Sequence, residues 1–142
     1  MIVKISIEMI EQYLGIMLGV WIAEYDVEAD NLDEYKEYIF EMEKHFKSWN
    51  DEKYFQLALA DLIVSDDIPQ KIWDDIEDSI NYVFVEHPIK DIIEYAYSVL
   101  WQDIPPKEAL NSFKVKFISS GIDLSVWRLK REELNPSFNK IN

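Results

Sequence analysis

The fold class is indicated by residues 31–49, which read NLDEYKEYIFEMEKHFKSW. Apolar side chains recur along this stretch at steps of three and four, at Leu32, Tyr35, Ile39, Met42, Phe46 and Trp49. Such spacing brings them onto one face of an α-helix. Asn31, with Glu34 three residues later, has the form of a capping box that begins a helix. The stretch therefore predicts an amphipathic helix with one buried face.

The same periodicity recurs along most of the chain. Apolar stripes of helical spacing occupy residues 10–25, 54–63, 72–83, 89–100 and 110–117, and a last short helix is predicted over 123–134. Prolines separate several of these segments, because proline is accepted in the first turn of a helix and not in its interior. Connections of a few residues fit an all-α, single-domain bundle of about six to seven helices over residues 1–142.

Two stretches depart from the helical pattern. Residues 1–7 alternate apolar side chains, as a strand does, but no partner strand is evident nearby. We interpret them as an extended lead-in or as the start of the first helix. Residues 136–142 follow the last predicted helix, and we predict that they form a loose tail.

Composition excludes several classes of protein. The chain has 142 residues, enough for one domain with a hydrophobic core, and it contains no cysteine, which excludes disulfides and thiolate chemistry. The formal net charge of −14 would repel nucleic acid. The most apolar run, residues 13–23, is shorter than a bilayer span, and Glu8 and Glu11 stand where a signal peptide needs basic residues. We predict a cytoplasmic protein with neither a nucleic-acid nor a membrane partner.

Charge is distributed unevenly along the chain. Residues 1–104 carry 24 acidic and 7 basic side chains, whereas residues 105–142 carry 4 acidic and 7 basic ones. We therefore divide the domain into an acidic helical part, 1–104, and basic C-terminal helices, 105–135. Self-repulsion opposes folding, so the acidic excess is explained either by solubility or by a surface that binds a basic partner.

Two groups of acidic side chains are candidates for that surface. The group in the second helix consists of Glu34, Glu37, Tyr38 and Glu41, all predicted to lie off the apolar stripe. A tyrosine surrounded by carboxylates is typical of an interface anchor. The group in the fourth helix consists of Asp74, Asp75 and Asp78, with Glu77 beside them and Asp66 and Asp67 before them. For either group the plain alternative is a solvated helix face.

Motifs for catalysis are few. Residues 74–78 match the DDxxD pattern that binds Mg²⁺ in helical isoprenoid synthases, but the chain is too short for that fold. Helical nucleotide pyrophosphatases use paired acidic residues on facing helices. The nearest match here is Glu8 and Glu11 with Asp75 and Asp78.

The two histidines match no known metal-binding or catalytic motif. His45 lies one turn from Glu41, and His87 directly precedes a proline. Neither has the Glu-x-x-His spacing of a di-iron site, and the sequence lacks both a Gly-x-Ser-x-Gly elbow and a glycine-rich phosphate loop. We therefore predict that the protein is not an enzyme and has no catalytic residue, no metal ion and no cofactor.

The chain resembles the small acidic immunity proteins of bacterial toxin systems, of the colicin and contact-dependent growth inhibition types. The resemblance covers the size, the lack of cysteine, the negative charge and the acidic residues named above, Glu34, Glu37, Tyr38, Glu41, Asp74, Asp75 and Asp78. It implies a cytoplasmic, non-catalytic bacterial inhibitor that binds a basic toxin domain, often a nuclease, and blocks its active site. A basic cleft would attract such a protein by long-range steering.

Three other functions remain open at this point. The same charge suits a phage-type inhibitor or nucleic-acid mimic that binds a DNA-binding protein. A Mg²⁺-dependent nucleotide pyrophosphatase would use the paired carboxylates. An acidic secretion chaperone would be expected to dimerise and expose apolar grooves.

Overall fold

The computed structural model describes residues 1–19, 32–80, 88–118, 124–136 and 138. Within these residues the chain forms seven α-helices and one two-stranded sheet, which confirms the predicted all-α class. The helices are α1 (Ile7–Ile10), α2 (Lys36–Ser48), α3 (Glu52–Val64), α4 (Gln70–Ile80), α5 (Ile89–Leu100), α6 (Pro106–Leu110) and α7 (Leu124–Leu134). Helix α1 continues as a π-helical segment, Glu11–Gly19, and a 3₁₀ turn, Leu32–Tyr35, leads into α2.

Some of the predicted features lie outside the described residues. These are the second half of the first helix, the cap at Asn31, the end of the fourth helix beyond Ile80, His87 and the C-terminal tail apart from Pro136 and Phe138. Phe138 is buried and its ring packs against two aromatic rings of the core, so the prediction of a loose tail is wrong at this residue. Among the described helices, none combines the length and the apolar character needed to cross a membrane.

The two strands correct the predictions at both ends of the chain. Strand β1 (Ile2–Ser6) pairs in parallel with β2 (Lys114–Ile118), with Val3 opposite Val115. Residues 2–6 are therefore a strand rather than a lead-in or a helix. The predicted sixth helix does not continue to Phe117, because α6 ends at Leu110 and the following stretch is β2. The part 105–135 thus contains a strand as well as helices.

One physical cause explains both corrections. A strand is stabilised by pairing, and here the partner strand lies near the opposite end of the sequence, so that no local hairpin pattern marks the pair. The helix stops at Asn111, whose φ of 45° is incompatible with a continued α-helix and is tolerated by asparagine better than by most residues. The Phe113 N–H then donates to the Leu110 carbonyl at 2.6 Å and turns the chain into β2.

Helix α3 forms the centre of the core. Every residue from Tyr54 to Leu62 is buried, because α2, α5, α6, α1 and β2 pack around it. Four aromatic rings surround its first turns, with centroids 5.2 to 6.4 Å apart. They belong to Tyr13, Phe46, Phe55 and Trp101. The predicted stripe of α2 is confirmed at Ile39, Met42 and Phe46, which are all buried.

The basic C-terminal part packs on the acidic part rather than standing apart from it. Besides the pairing of β2 with β1, α7 lies against β1, and Asn135 at the end of α7 binds the strand directly. The Asn135 Oδ1 accepts a hydrogen bond from the Lys4 N–H at 2.7 Å, and its Nδ2 donates to the Lys4 carbonyl at 3.1 Å. One side-chain amide therefore closes the outer edge of β1.

Candidate partner-binding site

Helix α4 carries the strongest concentration of acidic side chains among the described residues. We define the α4 acidic face as six carboxylates, those of Asp66, Asp67, Asp74, Asp75, Glu77 and Asp78. Asp75 is half-buried, and the other five are exposed. On the opposite side of the helix Ile72 and Ile76 are buried in the core, so the apolar stripe of α4 fixes the direction in which the carboxylates project.

The α4 acidic face has almost no compensating charge. Lys71 is the one basic side chain in residues 66–80. Within the described part of the chain, the ion pairs shorter than 4.0 Å involve Glu41, Glu43, Asp51 and Glu52, and none involves this face. The contact that Asp74 makes is a neutral one, a hydrogen bond of 3.0 Å donated by Gln70 Nε2. Among the described residues, therefore, no basic side chain pairs with any of these six carboxylates.

The carboxylate of Glu11, near the N-terminus, lies under the electrostatic influence of this face. The π-helical segment packs against α4, and this packing brings Glu11 towards Asp75 and Asp78. Burial, followed by repulsion from Glu8, Asp75 and Asp78, raises the pKa of Glu11 from 4.5 to about 7. Glu8, Glu11, Asp75 and Asp78 are the carboxylates that the sequence offers as facing pairs, and the charges of the other three act on Glu11. Among the residues that the structure describes, no three acidic or histidine side chains are grouped so that they could hold one metal ion.

The acidic side chains of the second-helix group are partly neutralised. Glu34, Glu37 and Glu41 are exposed as predicted. However, Glu41 forms an ion pair with Lys44 at 2.8 Å, and the neighbouring Glu43 lies 3.4 Å from Lys47. The two predicted groups lie on separate helices, each packed against the π-helical segment. Of the two, the α4 acidic face has the larger uncompensated charge.

Tyr38, the residue predicted as the aromatic anchor of the second-helix group, does not lie on the exposed face of α2. Tyr38 is half-buried and packs against the core, so the prediction that it lies off the buried face is wrong. The exposed aromatic side chain of α2 is Phe40, which is 41% exposed and lies one turn from Glu37. Trp49, predicted to end the buried stripe, is also exposed, and Arg128 stacks on its ring at 4.5 Å.

A buried charge cluster at the start of α3 was not anticipated from the sequence. The Asp51 carboxylate is fully buried and binds both Arg128, whose Nη2 lies 2.7 Å away, and Arg131. The Tyr13 hydroxyl donates to the same carboxylate at 2.5 Å, and burial with this hydrogen bond raises the pKa of Tyr13. Arg131 also donates to the Trp49 carbonyl at 3.1 Å. The cluster fastens α7 to α3 and to the π-helical segment.

This cluster has a sequence signal that is recognisable only in retrospect. Arg128 and Arg131 are three residues apart and therefore share one face of α7. Nothing local in the sequence relates them to Asp51, which stands where a residue capping the third helix would be expected. Asp51 does precede α3, but its side chain makes no capping hydrogen bond because the two arginines and Tyr13 engage it.

Comparison with known proteins gives no family for this chain. No protein-family model, no curated protein and no solved structure matches it.

Proposed function

We propose that the protein is a non-catalytic binder that neutralises a basic protein, and specifically an immunity protein that inhibits a cognate bacterial toxin domain in the cytoplasm. The observation that carries the proposal is the α4 acidic face, with six carboxylates, one nearby lysine and no ion pair among the described residues. Repulsion from Asp75 and Asp78 of this face adds to the effect of burial on Glu11, whose pKa is raised to about 7.

Such an arrangement opposes folding, because like charges repel one another and a buried carboxyl resists ionisation. A basic partner would remove the repulsion and would be drawn to the face over several ångströms by the same field. Solubility alone needs a charged surface, but it does not need six carboxylates within residues 66–78 beside a single lysine. The local concentration therefore supports a specific partner.

A nuclease domain fits the role of partner because its cleft must be basic to hold phosphates. A protein that covers this cleft would block the substrate without any chemistry of its own. The same charge supports a phage-type inhibitor that mimics nucleic acid and binds a DNA-binding protein. The two functions differ in the partner: an immunity protein binds its cognate toxin, whereas a phage-type inhibitor binds a protein of the host.

The test compares two variants with equal net charge. One reverses the α4 acidic face with Asp74→Lys and Asp78→Lys, and the control reverses two exposed α2 residues with Glu37→Lys and Glu41→Lys. The product of the adjacent gene serves as the partner, and association and dissociation are measured at low and high salt. We expect the α4 variant to slow association at least about tenfold at low salt, with a smaller effect in the control.

The same measurements can refute the proposal. If the α2 variant loses more association rate than the α4 variant, the partner binds the second-helix group instead. If the adjacent product binds but keeps its activity at a stoichiometric ratio, the immunity role is wrong. Affinity capture of a host DNA-binding protein in its place would support the phage-type inhibitor.

A second candidate function is supported by one observation, the approach of Glu11 to Asp75 and Asp78. A helical nucleotide pyrophosphatase needs such facing carboxylates to hold Mg²⁺. The assay is hydrolysis of nucleoside triphosphates with Mg²⁺ or Mn²⁺, for the wild type and for Glu11→Gln. We expect no turnover. Hydrolysis that Glu11→Gln abolishes and the exposed control Glu94→Gln retains would establish the enzyme and overturn the binding role.

A further inference from the structure

A groove of about 470 Å³ follows the outer edge of β2. One wall is the strand itself, from Lys114 to Phe117. The other wall is formed by the end of α3, the connection to α4 and the first turn of α4. Its lining residues on that side are Asp61, Ser65, Asp67, Ile68, Pro69 and Ile72.

Within the described part of the chain, the backbone groups of β2 that face this groove are unpaired. The Lys114 N–H donates to the Met1 carbonyl at 2.7 Å, and backbone groups alternate in direction along a strand. The backbone N–H and C=O of Lys116 therefore also face β1, whereas the backbone N–H and C=O of Val115 and Phe117 face the groove. Among the described residues these outward groups have no hydrogen-bond partner. The outer edge of β1 differs in this respect, because Asn135 closes it.

The groove also contains a buried carboxylate. Asp61 is 9% exposed, and the Ser65 hydroxyl donates to its Oδ1 at 2.7 Å. No other side-chain hydrogen bond reaches this carboxylate from the described residues, so Oδ2 has an unused acceptor. Asp67 adds a second negative charge to the same wall, and the charge of Lys114 on the strand wall offsets part of that of Asp61 without a hydrogen bond to it. A cationic side chain that enters the groove would meet Asp61 in a largely water-excluded position, where an ionic hydrogen bond is strong.

We infer that the outer edge of β2 binds an extended segment of the basic partner as a third strand, with a lysine or arginine of that segment reaching Asp61. The inference rests on the proposed function in that the strand comes from the basic partner. Main-chain hydrogen bonds to Val115 and Phe117 supply affinity, and the pocket around Asp61 supplies specificity.

A second copy of this chain fits the edge poorly. The side chains of Lys114 and Lys116 are exposed on the same face of β2. Pairing of two copies through this edge would bring these lysines close to their counterparts, and edge lysines are a common device against such pairing. A partner segment avoids the clash when it alternates one basic residue facing the groove with uncharged residues facing the two lysines.

The probe is a synthetic peptide that alternates threonine and valine around one central arginine. Residue-resolved amide hydrogen exchange is measured on the full chain with and without the peptide. We expect exchange to slow at Val115 and Phe117 and to change little at Lys116, which already faces β1. A peptide with glutamate in place of arginine, and one with N-methylated backbone amides, are expected to give no protection.

The matching protein variant is Asp61→Asn, whose amide oxygen can still accept from Ser65. Its affinity for the arginine peptide is expected to fall about tenfold or more, while Asp91→Asn, the same change at an exposed position on α5, leaves it unchanged. If the arginine peptide protects neither Val115 nor Phe117, or the glutamate peptide protects them equally, the inference is wrong. If exchange at Val115 and Phe117 slows as the protein concentration rises, without peptide, the edge of β2 binds a second copy of this chain and the inference is wrong.

The peptide result and the partner kinetics fail separately. The variant Asp74→Lys with Asp78→Lys tests the proposed function, and it is expected to leave peptide protection at β2 intact because neither residue lines the groove. Loss of peptide binding with normal partner kinetics would reject the third strand and keep the proposed function. If the peptide binds as expected but the partner's association does not depend on the α4 acidic face, β2 has a peptide site and the segment does not come from the proposed basic partner.

Discussion

Replacement of Glu11 by glutamine should stabilise the protein at neutral and basic pH. The pKa of Glu11 rises from 4.5 to about 7, through burial first and then through the carboxylates of Glu8, Asp75 and Asp78. One pKa unit corresponds to about 1.4 kcal/mol of difference between the two protonation states. The full shift sets a ceiling of about 3 kcal/mol, and solvent screening of this partly exposed group lowers the expected gain to about 1–2 kcal/mol.

The sign of the pH dependence follows from linkage. The folded protein binds the Glu11 proton more tightly than the unfolded chain does, so the wild type loses stability as pH rises from about 4.5 to about 7. Glutamine removes this loss. Glu11→Gln should therefore gain stability over the wild type at pH 8 and show little difference at about pH 3, which lies below the pKa of the carboxyl in both states.

The assay is denaturant unfolding across this pH range, with Glu94→Gln on α5 as the control for removing one exposed carboxylate. In an Asp78→Asn background the gain from Glu11→Gln should shrink, because part of the repulsion is already gone. If the gain in the free energy of unfolding is independent of pH, or if the control shows the same gain, then burial and the α4 carboxylates do not raise the pKa of Glu11.

Three further predictions concern stability. Asp51→Asn should lower the free energy of unfolding by about 3–5 kcal/mol in denaturant titrations, since it leaves two partly buried arginines without their counter-charge. Tyr38→Ala should cost about 1–2 kcal/mol in the same titrations, whereas Phe40→Ala should stay within about 0.5 kcal/mol, because only Tyr38 packs against the core. Asn135→Ala should cost about 1–2 kcal/mol and speed amide exchange at Lys4, and unchanged exchange there would contradict the closed edge of β1.

The two charge arrangements in the molecule differ in what they do. Around Asp51, opposite charges are buried together and join three segments that are distant in sequence. On the α4 acidic face, like charges are left exposed, and their repulsion extends to Glu11. The first arrangement joins parts of the fold, whereas the second opposes folding, and under the proposed function a basic partner would relieve its repulsion.

The candidate site could be predicted in part from the sequence. The carboxylates of α4 were identified because the apolar stripe through Ile72 and Ile76 fixes the direction of the opposite face. The same reasoning misplaced Tyr38. Helix α2 is packed by α3, α5 and the π-helical segment together, and its buried arc is wider than one stripe. The number of neighbours that a helix has is a tertiary property, so spacing alone does not give the width of its buried face.

The sequence by itself determined the helical class and the approximate number of helices, because helix spacing is a local pattern that burial of an apolar face enforces. It also determined the acidic excess of residues 1–104. Only the tertiary structure decided the pairing of β1 with β2, the contact of Asp51 with Arg128 and Arg131, and the approach of Glu11 to α4. Each of these depends on the distance between groups far apart in the chain, and neither periodicity nor composition contains that distance.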